Sequence, residues 1–212
     1  MKITRLVHSC LLVETNDTTV IFDPGQFSWD AGYLNLDNLP KIDYVAITHE
    51  HYDHFYIHFV EQLLHKNEDC KVIANESVNS KLQDIDRRRL ISEDTSLFSF
   101  FEAPHELLPL GEPPENRGLH FDNILTHPGD SHSFSDTKRV LAMPMTAPWG
   151  SMTSAVRLIK KLNPEFVIPI HDWHWKPEAL KSMYSWLVES LAEDGITFFN
   201  IEDGQPINID KK

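Results

Sequence analysis

Tyr44-Val45-Ala46-Ile47-Thr48-His49-Glu50-His51-Tyr52-Asp53-His54 runs from four apolar residues straight into four potential metal ligands within six positions. The apolar run reads as a buried strand. A strand that stops at a polar cluster delivers side chains to the C-terminal edge of a sheet, where open α/β folds place their chemistry. Neutral imidazoles and a carboxylate suit zinc or a similar divalent ion, and four ligands this close in sequence do not easily all reach one ion. The spacing therefore points to two neighbouring metals. His49 and His51 alternate around one residue of extended chain and face one ion, while Asp53 and His54 on the following turn face a second. A polar loop whose histidines cap a helix and bind nothing is the bland alternative; the specificity of His-x-His-x-Asp-His after a strand weighs against it. The zincin pattern His-Glu-x-x-His is excluded, because it would need a histidine where Asp53 stands.

The 212 residues suffice for one layered domain with a substantial core, and no composition break divides them, so residues 1–212 read as a single domain. Charged residues make up 24% and the net charge is −13, which argues for a globular surface and against a nucleic-acid or membrane footprint. No uninterrupted apolar stretch approaches a membrane span. Cys10 and Cys70 both sit in apolar runs and read as free buried thiols of a reducing, cytoplasmic compartment. His8 and Ser9 interrupt the early apolar run, so no signal peptide is expected.

Outward from the metal loop, Ile3 to His8, Leu11 to Glu14 and Thr19 to Phe22 read as a β-meander ending at Asp23-Pro24-Gly25. The next fifteen residues, with Trp29 and Tyr33, look like a long lid or binding loop. Helices are expected over Phe55 to His65, Ser77 to Ile85, Ser154 to Leu162 and Pro177 to Ala192, the last with proline at its start and Gly195 past its end. Lys71 to Ala74 and Ile196 to Ile201 read as further strands. The run Arg87-Arg88-Arg89 reads first as a solvated face and second as an anion site. Four more apolar strands end in polar residues: Leu97 to Glu102 before His105, Asn123 to Thr126 before His127 and Asp130, Val140 to Met143 before Trp149, and Phe166 to Ile170 before His171 and His174.

With its His-x-His-x-Asp-His loop between a strand and a helix, the chain resembles the metallo-β-lactamase superfamily. It is most similar to the compact branch related to L-ascorbate-6-phosphate lactonase and the N-acylphosphatidylethanolamine phospholipase D-like hydrolases. The resemblance rests on His8-Ser9, Phe22-Asp23-Pro24, Gly129-Asp130-Ser131, Met143-Pro144 and Ile168-Pro169-Ile170-His171. It implies an αββα four-layer sandwich, two mixed sheets with helices on both outer faces. It also implies the ligand sets: His49, His51, His105 and Asp130 for one ion, and Asp53, His54, Asp130 and His171 for the other. His120 and His127 lie in the same window as His105 and stay open as alternatives to it. His8 is either a near-site histidine or a satisfied core histidine, and Asp23 is the candidate to orient a ligand imidazole through its second nitrogen. His127, Trp149 and His174 are candidates for contact with ligands or substrate; Trp173 and Trp175 are further aromatic candidates, set against an equal expectation of core.

The activity implied is hydrolysis of an ester-type bond, a phosphodiester or a phosphorylated lactone of small-molecule size, by a hydroxide formed from a water shared between the metals, with Asp53 orienting it and taking up the water's proton. Two divalent ions are expected, zinc first, with manganese or iron fitting the same nitrogen and oxygen donors. Two other classes compete: a nuclease of the same superfamily, opposed by the charge of −13, and a metal-bearing protein that binds a ligand or partner without turnover, opposed by the retained Asp53. Substrate, physiological metal, pathway and homo-oligomerisation stay open.

Overall fold

Strands of two to five residues, most of them rich in Val, Ile and Leu, alternate with helices along the chain. A computed structural model describes residues 1–210. Two compact units emerge: unit 1 is Met1–Glu93 with the chain from Glu202 onward, and unit 2 is Asp94–Ile201.

Unit 1 contains β1 (Lys2–Arg5), β2 (Leu11–Glu14), β3 (Thr19–Phe22), α1 (Gln26–Asp30), β4 (Tyr44–Ile47), α2 (Ile57–Lys66), β5 (Lys71–Ala74), α3 (Glu76–Asn79) and β6 (Leu90–Ile91). Unit 2 contains β7 (Phe98–Glu102), β8 (Arg117–Phe121), β9 (Leu125–His127), β10 (Val140–Pro144), α4 (Met152–Leu162), β11 (Phe166–Ile170), α5 (Pro177–Ala192) and β12 (Thr197–Phe198). The chain then returns to unit 1, where β13 (Pro206–Asn208) pairs antiparallel with β1, Ile3 opposite Ile207. The two mixed sheets run β13-β1-β2-β3-β4-β5-β6 and β12-β11-β10-β9-β8-β7.

Strand direction decides what each sheet edge carries. In unit 1, β2 is antiparallel to both β1 and β3, while β3, β4 and β5 are parallel. The C-terminal ends of β1, β3 and β4 therefore share one edge, and His8, Asp23 and the loop 48–54 follow those ends. In unit 2, β8 is antiparallel to β7 and β9, and β9, β10 and β11 are parallel. One edge of that sheet thus carries His105, Asp130, Trp149 and His171. His120 lies on β8 opposite Ser99, near the start of β7, and opposite Thr126 in the middle of β9.

Helix α2 forms because Phe59, Val60, Leu63 and Leu64 recur at helical spacing. All four are buried, in one cluster with Val45, Ile47, Val72 and Ala74 of the sheet. Each such side chain contributes roughly 1.5–3 kcal/mol on burial. Arg89 closes the far end of α2, donating to the carbonyls of Leu64 at 2.9 Å, Asn67 at 2.6 Å and Cys70 at 2.8 Å. Arg88 pairs with Asp86, whose carboxyl its guanidinium holds down at about 2. Two of the three consecutive arginines are therefore engaged in local structure. In unit 2, Ala155, Leu158 and Ile159 of α4 and Tyr184, Leu187 and Leu191 of α5 share a buried cluster with Leu141, Met143 and Val167. No helix among the described residues is long and apolar enough to cross a membrane.

Several boundaries differ from the sequence expectation. β1 stops at Arg5, because Val7 and His8 both take positive φ (74° and 58°) at the apex of the first hairpin. The expected lid after Gly25 begins with α1, and the helix expected from Ser77 to Ile85 is the short α3 followed by turns. β8 arises inside a stretch whose glycine and histidine give it no alternating pattern. Cys10 and Cys70 are buried and free; burial raises both thiols, Cys70 to about 12, which keeps them neutral.

Candidate metal centre

In unit 1 the site is organised around Asp23, fully buried at the end of β3 with φ of 41°. Its carboxylate accepts from the Thr48 amide at 2.8 Å and from the Thr48 hydroxyl at 2.8 Å, and it lies 2.7 Å from His54 Nδ1. The bond to His54 puts the ring proton on Nδ1 and leaves the Nε2 lone pair for a metal. Because the Thr48 hydroxyl donates to Asp23, it is an acceptor for His49 Nδ1, 3.1 Å away. His49 Nε2 is then a lone pair as well, and it faces His51 Nδ1 at 3.1 Å. That is close to the edge of about 3.3 Å between two nitrogens on a tetrahedral ion with bonds of about 2.0–2.1 Å.

The second cluster in unit 1 contains Asp53, His54 and His8, whose ligand atoms lie within 4.8 Å of one another. His8 Nε2 is 3.2 Å from Asp53 Oδ2, and the His8 ring meets Phe27 edge to face at 5.1 Å. The hairpin that aims His8 is strained: Val7 is β-branched at positive φ, a conformation that costs about 1–3 kcal/mol and clusters at functional sites. It is held by the Leu6 amide on the Cys10 carbonyl at 2.7 Å and by the Ser28 hydroxyl on the Val7 carbonyl at 3.2 Å. Gly25 lets the metal loop come close; a Cβ there would lie 1.8 Å from the Asp53 carbonyl oxygen.

In unit 2 the corresponding carboxylate is Asp130, which follows Gly129 at φ 63°. Asp130 Oδ2 lies 3.4 Å from His105 Nε2 and 3.2 Å from His171 Nε2. His105 Nδ1 is 2.7 Å from the Glu106 carbonyl, and His171 Nδ1 is 2.9 Å from the Thr146 carbonyl. A carbonyl only accepts, so both protons sit on Nδ1 and both Nε2 lone pairs face a carboxylate. In the neutral tautomer two lone pairs then face one anionic oxygen, an arrangement that a cation among them relieves. The donor set thus fits a divalent ion, and no thiolate joins it.

Several residues outside the sequence reading build this half. Asn116, buried, donates to the carbonyls of Ala103 and Pro128 at 2.5 and 2.9 Å and accepts from the Asp130 amide at 3.3 Å, stapling the loop after β7 to that after β9. Glu106 accepts from the His132 amide at 2.8 Å and the Ser133 hydroxyl at 2.7 Å. No short motif marks Asn116; Glu106 follows His105 directly. Beside His105 opens a cavity of about 460 Å³, lined in part by Phe101, Glu102, Glu115 and Arg117.

The remaining histidines separate. His120 lies 3.0 Å from Thr126 Oγ1 and 3.4 Å from Asp136 and stacks on Phe101 at 4.3 Å; burial lowers it to about 4. His127 Nδ1 accepts from the Gly129 amide at 3.3 Å. His174 is exposed, 3.3 Å from Thr146 Oγ1, and desolvation lowers its pKa. Trp149 is half-buried, its indole N–H 3.2 Å from Asp130 Oδ2.

Mixed sheets with helices and histidines at the parallel strand ends define an α/β protein of the metallo-β-lactamase fold, and comparison with known proteins names the family. The chain belongs to the beta-lactamase superfamily domain family, whose model matches residues 2–171. It is 28% identical over 206 residues to protein Rv0786c of Mycobacterium tuberculosis, covering 92% of this chain and 94% of that one. It is also 28% identical over 195 residues to a UPF0173 metal-dependent hydrolase of Salinibacter ruber, covering 81% and 84%. Among solved structures, Igni18, a metallo hydrolase of the archaeon Ignicoccus hospitalis, superposes with a TM-score of 0.70 at 20% identity, covering 100% of this chain and 99% of that one. The chain is a metal-dependent hydrolase with His and Asp clusters able to hold metal.

Proposed function

We propose that the chain is a dinuclear hydrolase of an ester-type bond, a phosphodiester or a phosphorylated lactone, working as one catalytic domain. In this reading His49, His51, His105 and Asp130 hold one ion, and Asp53, His54, Asp130 and His171 hold the other. The observation that carries it is Asp130 Oδ2 facing the Nε2 atoms of both His105 and His171, each imidazole fixed through Nδ1 by a main-chain carbonyl. A carboxylate placed so is suited to serve two ions. Two bound divalent ions supply Lewis acidity and a nucleophilic water at neutral pH.

The chain's own groups supply position and proton handling. Asp53 Oδ2, half-buried and 3.2 Å from His8 Nε2, is the base that accepts a proton from the attacking water. Asp23 keeps His54 in the ligating tautomer, and Thr48 does the same for His49. Zinc suits the nitrogen and oxygen set best.

Two measurements test this together: metal per chain by elemental analysis of protein purified without added metal, and turnover of a phosphodiester, a phosphomonoester and a lactone. About two equivalents of metal with turnover of one ester is the expected result. Below half an equivalent, with no activity after metal is restored, would establish the non-catalytic reading instead. Asp53→Ala, assayed with metal restored to wild-type occupancy, should lower kcat by about 10²–10⁴-fold, the contribution of a positioned base; unchanged kcat would remove Asp53 from that role.

A further inference from the structure

Trp149 lies on the loop after β10 and touches more of unit 2's ligand cluster than any sequence motif suggests. Its indole Nε1–H donates to Asp130 Oδ2 at 3.2 Å, the same oxygen that faces His105 and His171. Its ring centroid lies 5.3 Å from that of His171 and 6.2 Å from that of His105. On a third side it meets His132 edge-on at 5.3 Å.

His132 is itself locked. Its two ring nitrogens lie 3.0 Å from Ser154 Oγ and 2.8 Å from the Pro144 carbonyl, and burial lowers its pKa. Ser154 belongs to the capping box of α4, where Ser151 Oγ accepts from the Ser154 amide at 3.1 Å and Ser154 Oγ accepts from the Ser151 amide at 3.1 Å. Gly150 leaves room for that ring, since a Cβ there would come within 3.1 Å of His132 Cε1. A rigid helix start therefore holds an imidazole, the imidazole backs an indole, and the indole reaches the carboxylate.

We propose that Trp149 is a positioning residue: its indole N–H fixes the rotamer of Asp130 so that Oδ2 stays between His105 and His171. An Asp carboxylate otherwise swivels about a soft terminal torsion. One N–H on Oδ2 restricts that swivel and uses only one of that oxygen's two lone pairs. Indole is suited to the task, because it is a donor with no acceptor and so never competes with Asp130 for a cation. The role in metal binding rests on the dinuclear reading above; the hydrogen bond does not.

The experiment has two arms on the full chain. In metal-free protein, hydrogen exchange of the five tryptophan indole N–H groups is followed by NMR, the Trp149 signal being assigned by its loss in Trp149→Phe. The Trp149 N–H is expected to exchange at least tenfold more slowly than that of Trp186, which is exposed. Exchange as fast as at Trp186 would overturn the proposal. In the second arm, zinc is titrated against a chelator into wild type, Trp149→Phe, which keeps a ring but loses the donor, and Trp149→Gln, which keeps an N–H.

Trp149→Phe is expected to bind zinc about 10- to 100-fold more weakly, as outer partners of ligands do, with Trp149→Gln recovering part of the loss. Equal affinity in wild type and Trp149→Phe would overturn the positioning role. Thermal melts of the metal-free variants separate this from a folding defect. Wild-type protein that binds no zinc would sink the dinuclear reading, while the exchange arm would still decide whether the indole holds Asp130.

Discussion

In unit 1 the imidazole of His54 is held by a buried carboxylate, Asp23, whereas in unit 2 those of His105 and His171 are held by the main-chain carbonyls of Glu106 and Thr146. The physical consequences differ. A carboxylate makes a charge-assisted bond that raises ligand basicity, and one substitution removes it. A carbonyl makes a neutral bond that no side-chain change deletes. Unit 1 concentrates its orientation in a single residue that also carries Thr48. Unit 2 spreads it over three strand ends and over Asn116 and Trp149, with one carboxylate at their meeting point.

The largest effect is expected from Asp130→Ala, the change at that meeting point. Bound metal should fall from about two equivalents to below one, with turnover at background; retention of both ions would show that Asp130 is not shared. Asp23→Ala comes next. It leaves the buried Thr48 amide and hydroxyl and His54 Nδ1 without their acceptor, a type of loss that costs about 3–5 kcal/mol, and it should weaken metal retention about 10- to 100-fold. The matched change in unit 2, Glu106→Ala, keeps the carbonyl on His105 and should cost about 1 kcal/mol in denaturant unfolding, with metal content unchanged. Equal effects of the two would erase the contrast between carboxylate and carbonyl.

His105→Gln against His120→Gln sharpens unit 2 further. The first should lose metal and the second should not, because His120 lies opposite Ser99 at the start of β7, away from the end that carries His105. A further expected effect is one of pH. Burial, with Lys138 nearby, holds folded His120 at about 4, while in the unfolded chain it titrates near 6.5. As pH falls through 6.5 the unfolded state takes up the proton first, so stability drops between about pH 6.5 and 4 and is untouched by this group above 6.5. Chemical denaturation at pH 7 and pH 4.5 should show a smaller drop in His120→Gln than in wild type.

Local features could be read directly from the order of residues. β2, β3, β5, β11 and α5 begin and end where periodicity, turn residues and the proline at Pro177 place them. His49, His51, Asp53 and His54 stand in one loop after one strand, and such a loop keeps near in space what is near in sequence. The short α3, the early end of β1 and the strand β8 were not legible, since left-handed backbone at Val7 and His8 and a pairing partner on β7 are tertiary demands that local pattern does not record. The same holds for unit 2's ligands. His105, Asp130 and His171 are many residues apart, and along the chain His120 and His127 stay open as alternatives to His105. Only strand direction put the first three on one sheet edge and His120 toward the other, and only side-chain packing brought Asn116 and Trp149 to Asp130. Hydrogen bonds that orient a ligand depend on which strands are neighbours, and that ordering is a property of the folded chain.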